Sequence, residues 1–375
     1  MITSLSIDNY RCFSGFVWTP GRLSLLLGEN GSGKSSVFDV LEALREIVTK
    51  GEPTERAFPV ESLCKWRAES DGTQTFSLSV EGNGGTYHYT LTIEHELPRG
   101  VKNRIQSESL LFNDQKVYEF DGREVHLYRD DGSAGPTFPF DWSRSGIATV
   151  PERHDNTLLT MFRNRMGLVQ VFSPDPEAME GLVKKPAQAP DRALRNFASW
   201  LYAVQSGDFE VGSSVATSLQ QSIRGFSKHR FANVGSSAWE LFAGFEFRDE
   251  ESGSITSSFE LSFESLSTGQ RNLFALYTIL HAAVKEGATV CIDEPDNFVA
   301  LREIQPWFSA LQDAAEDRDC QILVVSHHPE LINQLAAHSG ILFERDGSGA
   351  TCCRRFEWQD KELMTPAELV ARGWE

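Results

Sequence analysis

The chain has 375 residues, of which 40% are hydrophobic and 23% charged, and this composition excludes a disordered protein while leaving room for one large or two ordinary domains. The formal net charge of −18 disfavours nucleic acid as a partner, so a DNA contact would need a local basic face or a basic partner. Because the sequence contains neither an apolar run of 18 residues nor a secretion signal, we expect a cytoplasmic protein without a membrane partner.

The first residues are predicted to form two short strands. Residues 2–7 alternate apolar and polar side chains as a half-buried strand does, and residues 8–13 lead to a second short strand. Arg11 lies in this connection, just before the glycine-rich loop that follows. We treat Arg11 as a candidate phosphate contact, with a solvated turn arginine as an equally weighted alternative.

The sequence GENGSGKSS, residues 28–36, is the main motif of the chain. It lies between an apolar strand and an amphipathic helix, and it matches the phosphate-binding loop at Gly28 and at Gly33-Lys34-Ser35. Glycines let the backbone fold around an anion and direct N–H groups towards it. We expect Lys34 to reach the β and γ phosphates and Ser35 to ligate Mg²⁺; the alternative is a turn that only caps a helix. The other candidate nucleotide ligands of the loop are Asn30, Gly31, Ser32, Gly33 and Ser36.

Two segments of different character follow. Residues 74–130 alternate at period two between hairpin signals, which predicts an antiparallel β layer. Residues 152–232 show helical spacing, interrupted by a loop at 174–190, and they lack the sustained heptads of a long coiled coil. A basic cluster ends this segment, and we interpret it as a solvated helix end rather than a nucleic-acid contact; it comprises Arg224, Lys228, His229 and Arg230.

Three more motifs occur in the last third of the chain. LSTGQ, residues 266–270, opens a predicted helix and provides a second small-residue helix start that could hold an anion. Asp293 and Glu294 end an apolar strand, where paired carboxylates need a cation such as Mg²⁺; Asp293 would hold the metal and Glu294 would accept a proton from water. His327 ends the next apolar strand and is a candidate phosphate sensor, with a structural hydrogen-bonding role as the alternative.

These four motifs occur in the order seen in ABC-type ATPase heads, and over residues 2–345 the chain resembles the RecF-like and OLD-like group of stand-alone AAA/ABC-type ATPases. The resemblance implies an α/β fold: a P-loop NTPase with an ABC-type head, an antiparallel β layer and a short helical insert. It implies ATP and Mg²⁺ as cofactors and a head-to-tail homodimer with two shared sites. The implied roles are catalytic for Glu294 and His327, metal-binding for Ser35 and Asp293, and ATP-binding in trans for Ser267, Gly269 and Gln270.

The expected layout has four parts. An N-terminal ATPase lobe would span residues 1–150, the helical insert 151–235, a C-terminal ATPase lobe 236–345, and a C-terminal strand and tail 346–375. The chain departs from the pattern of transporter ATPases in three places: Thr268 replaces a glycine, Ala300 replaces an aspartate, and Gln74 is the one candidate for the glutamine loop between residues 37 and 100. These departures argue against coupling to a transporter membrane subunit.

The leading functional hypothesis is an ATP-driven switch. ATP would close the dimer, hydrolysis would open it, and an effector protein encoded nearby would respond, in antiviral defence or DNA maintenance. OLD-type proteins append a nuclease domain that does not fit into this sequence, so any nuclease activity is expected from the partner. The alternative is a RecF-like, ATP-dependent DNA clamp that acts in DNA repair.

Overall fold

The computed structural model describes residues 1–65, 72–96, 103–235, 237–249, 252–358 and 364–373. Within these residues the chain forms eighteen strands and nine α-helices. The strands are β1 Ile2–Asp8, β2 Phe16–Trp18, β3 Leu23–Leu27, β4 Thr73–Gly82, β5 Gly85–His95, β6 Asn103–Phe112, β7 Gln115–Phe120, β8 Glu124–Tyr128, β9 Ala134–Pro139, β10 Val169–Phe172, β11 Leu182–Val183, β12 Phe226–Val234, β13 Ala238–Arg248, β14 Ile255–Ser262, β15 Thr289–Asp293, β16 Gln321–Val325, β17 Gly340–Arg345 and β18 Thr351–Arg355. The helices are α1 Lys34–Lys50, α2 Thr54–Ala57, α3 Thr157–Gly167, α4 Phe197–Gly207, α5 Phe209–Ser222, α6 Thr268–Thr278, α7 Leu301–Asp317, α8 Pro329–Ser339 and α9 Pro366–Arg372.

A six-stranded sheet in the order β10-β15-β16-β3-β17-β18 carries the predicted motifs. Its strands are parallel except for β18, which pairs antiparallel with β17. The register sets Asp293 opposite Val325, and Val325 opposite Leu26. The carboxyl ends of β3, β15 and β16 therefore meet at one edge, which is where open α/β sheets bind ligands.

An eight-stranded antiparallel sheet, β2-β1-β4-β5-β6-β7-β8-β9, forms the second layer and confirms the predicted β layer. Helix α1 lies between the two sheets. Its apolar side chains recur at helical spacing and so form one face of the helix, and buried Val37, Leu41 and Leu44 on it join the core of the antiparallel sheet. In β3, Leu26 belongs to this core, whereas its neighbours Leu25 and Leu27 belong to a second core around α6 and α7. The six-stranded sheet thus separates two hydrophobic cores.

The segment predicted to be helical contains α3, α4 and α5 but also strands, and the helical prediction is wrong at two of them. Strand β10 joins the central sheet beside β15, and β12 pairs with β13 in a third sheet. Strand β10 has only four residues, three of them apolar, which is too short for periodicity to distinguish strand from helix. The division of the chain at residues 150, 235 and 345 stays a prediction. In the described part, no helix has both the length and the apolar character to span a membrane.

Candidate functional site

The loop between β3 and α1 is tightly folded, and two of its positions have no room for a side chain. Gly28 and Gly33 adopt φ angles of 132° and 102°, which side-chain-bearing residues rarely adopt. A Cβ atom on Gly28 would lie 2.1 Å from the Phe343 carbonyl oxygen, and one on Gly33 would lie 2.8 Å from the Cys12 sulfur. The glycines let the loop pack against β17 and against the segment after β1.

This loop presents hydrogen-bond donors without acceptors. Helix α1 begins at Lys34 without a side-chain cap and without an acidic residue in its first turn, so its first N–H groups have no intrahelical acceptor. The Ser32 hydroxyl is buried and has no hydrogen-bond partner among the described residues. Unpaired donors at a helix N-terminus are suited to a phosphate group. The loop therefore fits the phosphates of a nucleotide.

The side chain of Lys34 lies across this loop and is only 5% exposed. Its Nζ donates to the carbonyl oxygens of Gly28, at 2.7 Å, and Glu29, at 2.8 Å. Burial lowers the pKa of Lys34, while the nearby carboxylates of Asp293, Glu294 and Glu29 oppose that shift. An ammonium has three donors, so the third N–H remains to be paired with a phosphate.

Ser35 and Asp293 come together as predicted for a metal site. The Ser35 hydroxyl donates to Oδ1 of Asp293 at 3.2 Å. Burial raises the pKa of Asp293, and the Ser35 hydrogen bond and the cation of Arg192 counteract this. Hydroxyl and carboxylate oxygens are suitable Mg²⁺ ligands. In the described residues no group of three His, Cys, Asp or Glu side chains is placed to hold a metal. Ser35 and Asp293 would supply two oxygens to Mg²⁺, and phosphate oxygens or water would supply the others.

Glu294 adopts an unusual backbone conformation. Its φ angle is 51°, in the left-handed region that a non-glycine residue enters at a cost and that is enriched at functional sites. Its N–H donates to the Val325 carbonyl oxygen at 2.8 Å, and its Oε2 accepts from Asn297 Nδ2 at 2.7 Å. The carboxylate is exposed, so it is available to a water molecule and can act as a general base.

The two histidines after β16 differ in role. His328 caps α8, since its Nδ1 accepts from the Glu330 N–H at 3.3 Å. His327 is exposed, and both partial burial and the Lys34 ammonium lower its pKa. A lowered pKa keeps the imidazole neutral near pH 7, able to donate one hydrogen bond. His327 therefore remains the candidate phosphate sensor.

Arg11 lies against the first turns of α1. Its guanidinium donates to the Ser36 hydroxyl at 3.3 Å and forms an ion pair with Asp39. From the opposite side, Arg345 donates to the Gly31 carbonyl oxygen at 2.7 Å. The two arginines line a 310 Å³ pocket beside the phosphate loop. Arg345 could not be predicted from the loop motif, because it lies in β17, far along the chain from the loop. Asn30 lies exposed in the loop itself.

The glutamine loop is not at Gln74. This residue is fully buried in β4, where its Nε2 donates to the Asn9 carbonyl oxygen and its Oε1 pairs with His95, both at 2.9 Å. In the central sheet β15 lies between β16 and β10, and the residue after β10 is Ser173.

Arg192 lies beside the end of β10, at the edge of the sheet that carries Asp293, and the sequence motifs did not predict it. The Ser173 N–H donates to the Arg192 carbonyl oxygen at 2.8 Å, which brings the guanidinium to the end of β10. From there Arg192 Nη1 contacts Asp39 Oδ1 at 2.5 Å, and Nη2 lies 3.9 Å from Asp293 Oδ2. No sequence signal reveals this contact, because Arg192 follows β10 by twenty residues within a loop.

The LSTGQ motif forms the start of α6. The Ser267 hydroxyl accepts from the Gln270 N–H at 3.2 Å, and the Ser267 N–H donates to Gln270 Oε1 at 3.1 Å, a reciprocal capping box. Gly269 is required by packing, since a Cβ atom there would lie 2.6 Å from the Phe298 carbonyl oxygen. In the described part, none of Ser267, Gly269 and Gln270 forms a hydrogen bond with the phosphate loop of the same chain.

The basic cluster at residues 224–230 is a solvated helix end only at Arg224, which is exposed just after α5. Lys228, His229 and Arg230 lie on β12, so the predicted helix is wrong there; alternation of side chains along that strand explains their spacing. Arg230 forms a bidentate ion pair with Glu260, at 2.8 and 2.5 Å. Burial lowers the pKa of His229 to about 4. Arg230 is therefore neutralised within the protein and His229 carries no charge near pH 7, whereas Arg224 and Lys228 are exposed.

The fold and a family model identify the chain. An SMC head bound to the C-winged-helix domain of ScpA matches with a TM-score of 0.57 at 12% identity, over 94% of this chain and 97% of that one. An Smc head domain with an extended coiled coil, bound to the C-terminal domain of ScpA derived from Pyrococcus furiosus, matches with a TM-score of 0.51 at 12% identity, over 94% and 95%. No curated protein sequence matches the chain significantly.

Residues 23–333 match the family described as "AAA domain, putative AbiEii toxin, Type IV TA system". The matched range runs from β3 to α8 and includes the phosphate loop, Asp293 and His327. The structural matches agree with the predicted ABC-type head. Because the family model covers most of this chain, the chain belongs to this AAA family and is an ATPase with the fold of an ABC-type head.

Proposed function

We propose that this ATPase works as an ATP-dependent homodimeric switch whose closed state is recognised by a partner effector. The observation that carries the proposal is an exposed surface beside α6. Ser267 is exposed at the helix start, Gly269 packs beneath Phe298, and Phe298 and Leu301 are 58% and 42% exposed. A contiguous exposed apolar patch with polar groups at its rim is typical of a surface that binds proteins.

Within one subunit, the described residues divide the work of hydrolysis. Lys34 and the first N–H groups of α1 would bind the β and γ phosphates. Ser35 and Asp293 would hold Mg²⁺, which when bound neutralises phosphate charge. Glu294 would take the proton from the attacking water, and His327 would donate a hydrogen bond to the γ-phosphate.

The second subunit would complete the site. The capping box leaves the Ser267 hydroxyl at the N-terminal end of α6, where the helix dipole favours an anion. In a head-to-tail dimer this end would face the γ-phosphate held by the other chain. Phe298 and Leu301 would become buried at the same time. Because each is already about half buried, each would stabilise the closed dimer by roughly half of the 1.5–3 kcal/mol that full burial contributes.

A partner that responds to closure is suggested by the solved SMC heads, which carry a domain of another protein, ScpA. For this chain we propose an effector protein encoded nearby, with antiviral defence or DNA maintenance as the pathway. Binding of that protein should depend on the nucleotide state of the head, because ATP changes which surfaces are exposed.

Light scattering on the full chain tests the switch. The Glu294→Gln variant, which should bind ATP without hydrolysing it, is expected to double its mass when ATP and Mg²⁺ are added. Phe298→Ser with Leu301→Ser should prevent the doubling, whereas Val17→Ser, at a 60% exposed apolar residue of β2, should not. A monomeric mass at saturating ATP would contradict the dimer. The effector is tested by pull-down of the neighbouring gene product with and without ATP; equal binding in both would contradict the switch.

A further inference from the structure

Arg192 is surrounded by the carboxylates next to the proposed metal site. Its Nη1 lies 2.5 Å from Asp39 Oδ1 and 3.1 Å from Glu42 Oε2, and its Nη2 lies 3.9 Å from Asp293 Oδ2. The side chain is 29% exposed, so these contacts are partly shielded from water. A partly buried guanidinium among three carboxylates is a strong local counter-charge.

The loop that carries Arg192 holds the guanidinium in this place. Its Nε donates to the Ser173 hydroxyl at 3.2 Å. The Ser173 N–H donates to the Arg192 carbonyl oxygen at 2.8 Å, and the Asp175 N–H donates to the Ala193 carbonyl oxygen at 3.0 Å. The backbone is thus tied to the end of β10, and the side chain reaches across β10 towards the end of β15.

The contact between Arg192 and Asp293 affects how much positive charge the Asp293 carboxylate can accept. Within the described residues, Arg192 is the cationic side chain within 4 Å of the Asp293 carboxylate. Asp39 has a second cation in Arg11, and Glu42 has one in Arg45. Besides Arg192, the partners of Asp293 among the described residues are the Ser35 hydroxyl and the more distant ammonium of Lys34. A half-buried carboxylate without a cation is costly, and a cation already beside it repels a second one.

We propose that Arg192 is a positioning residue of the ATPase site, the resident counter-cation of Asp293 that makes Mg²⁺ binding depend on nucleotide. Without nucleotide, the guanidinium neutralises the carboxylate and repels a free divalent ion. When ATP binds, its phosphates add enough negative charge for the Arg192 guanidinium and Mg²⁺ to lie near Asp293 together. This inference rests on the proposed role of Asp293 as a metal ligand.

The surroundings give Arg192 space to adjust. A 330 Å³ groove opens beside it and is lined by Glu42, Arg45, Gln170 and Trp200 among others. The guanidinium can turn into this groove, away from Asp293, while it keeps its contact with Glu42.

Binding of Mn²⁺ alone to the nucleotide-free full chain, measured by electron paramagnetic resonance, tests the inference. Arg192→Gln should bind Mn²⁺ about tenfold more tightly than the wild type, an order of magnitude expected for removing one nearby positive charge. Arg192→Met keeps the aliphatic stem and should do the same if the glutamine variant folds poorly. Arg192→Lys retains the charge and should resemble the wild type. Arg195→Gln, at an exposed position of the same loop, is the matched control and should change nothing.

Two further measurements separate this inference from the proposed function. Adding Asp293→Asn to Arg192→Gln should abolish the gain in Mn²⁺ affinity. With a non-hydrolysable ATP analogue present, Asp293→Asn alone should weaken Mn²⁺ binding relative to the wild type; if it does not, the metal assignment in the proposed function fails. If that assignment holds but folded Arg192→Gln and Arg192→Met bind free Mn²⁺ no more tightly than the wild type, the role of Arg192 is overturned.

Discussion

The Ser35 hydroxyl and the Asp293 carboxylate are joined by a hydrogen bond of 3.2 Å across 258 residues of sequence. One lies in the first turn of α1 and the other ends β15. The bond shows that two motifs that are distant in sequence meet at the carboxyl edge of one sheet. The oxygens proposed to hold Mg²⁺ are therefore in place before a ligand binds, which limits the reorganisation that binding requires.

Lys34→Ala is expected to abolish tight ATP binding. The loop N–H groups would remain, but the β and γ phosphates would lose the ammonium that neutralises them. Charge-assisted hydrogen bonds of this kind contribute about 1.5–3 kcal/mol each, so affinity should fall at least tenfold. Titration with a fluorescent ATP analogue measures the loss. Lys50→Ala, at the other end of α1 with an exposed side chain paired to Glu46, is the control; equal affinity in both variants would refute the phosphate-loop assignment.

Glu294→Gln should separate binding from hydrolysis. The amide keeps the shape of the side chain and can still contact Asn297, but it cannot take a proton from water. We expect the ATPase rate to fall roughly 100-fold, with nucleotide affinity preserved. A phosphate-release assay and the same fluorescent titration measure the two quantities. Glu303→Gln, in the first turn of α7, is the control. A Glu294→Gln variant that hydrolyses at the wild-type rate would assign this carboxylate a structural role.

Local sequence patterns were enough to place Lys34, Ser35 and Asp293, because each lies directly at a strand end or helix start that its own neighbours define. The antiparallel layer was predictable for the same reason, since its strands alternate over ten or eleven residues. Arg192 was not predictable: its partners Asp39 and Asp293 lie on other elements, and only the tertiary fold unites them. Strand β10 was missed because its four residues, three of them apolar, are too few to show a period.

Glu108 should make stability depend on pH in the direction opposite to an ordinary carboxylate. It is 1% exposed and accepts hydrogen bonds from Tyr89, Tyr118 and Ser145, at 2.7, 2.9 and 2.6 Å. Burial raises the pKa of Glu108, so the folded state binds the proton more tightly than the unfolded state. The protonated Glu108 therefore contributes to the free energy of unfolding at a pH below the pKa that it has in the unfolded chain. This contribution is lost as the pH rises to the pKa of the folded state, and the free energy of unfolding changes by up to about 1.4 kcal/mol per pH unit.

Urea unfolding of the wild type and Glu108→Gln between pH 4.5 and 7.5 measures this effect. As pH falls, the wild type should gain free energy of unfolding relative to Glu108→Gln. Glu119→Gln provides a control of opposite sign, because a hydrogen bond from Lys116 lowers the pKa of Glu119; there the wild type should lose stability slightly relative to the variant at low pH. A constant difference between wild type and Glu108→Gln across this range would show that Glu108 keeps one protonation state.

Ser267→Arg tests whether the two subunits share their sites. If α6 of one chain faces the phosphate loop of the other, the bulky side chain should block closure, so the variant should bind ATP but hydrolyse little. The substitution also removes the cap of α6, which is worth about 1 kcal/mol. Ser267→Ala removes the cap without adding bulk and is therefore the matched control, expected to keep more activity than Ser267→Arg.

Mixing two inactive variants then shows whether each site combines two chains. Lys34→Ala and Ser267→Arg, mixed equally and allowed to exchange, would form about half hybrid dimers, each with one intact site and one doubly altered site. With independent sites, about a quarter of the wild-type activity should return. A silent mixture would mean either that both sites must act together or that the sites are not shared, so the rate of Ser267→Arg and its dependence on protein concentration decide. Full activity in Ser267→Arg, together with a specific ATPase rate that does not change down to nanomolar protein, would show that the chain hydrolyses ATP as a monomer.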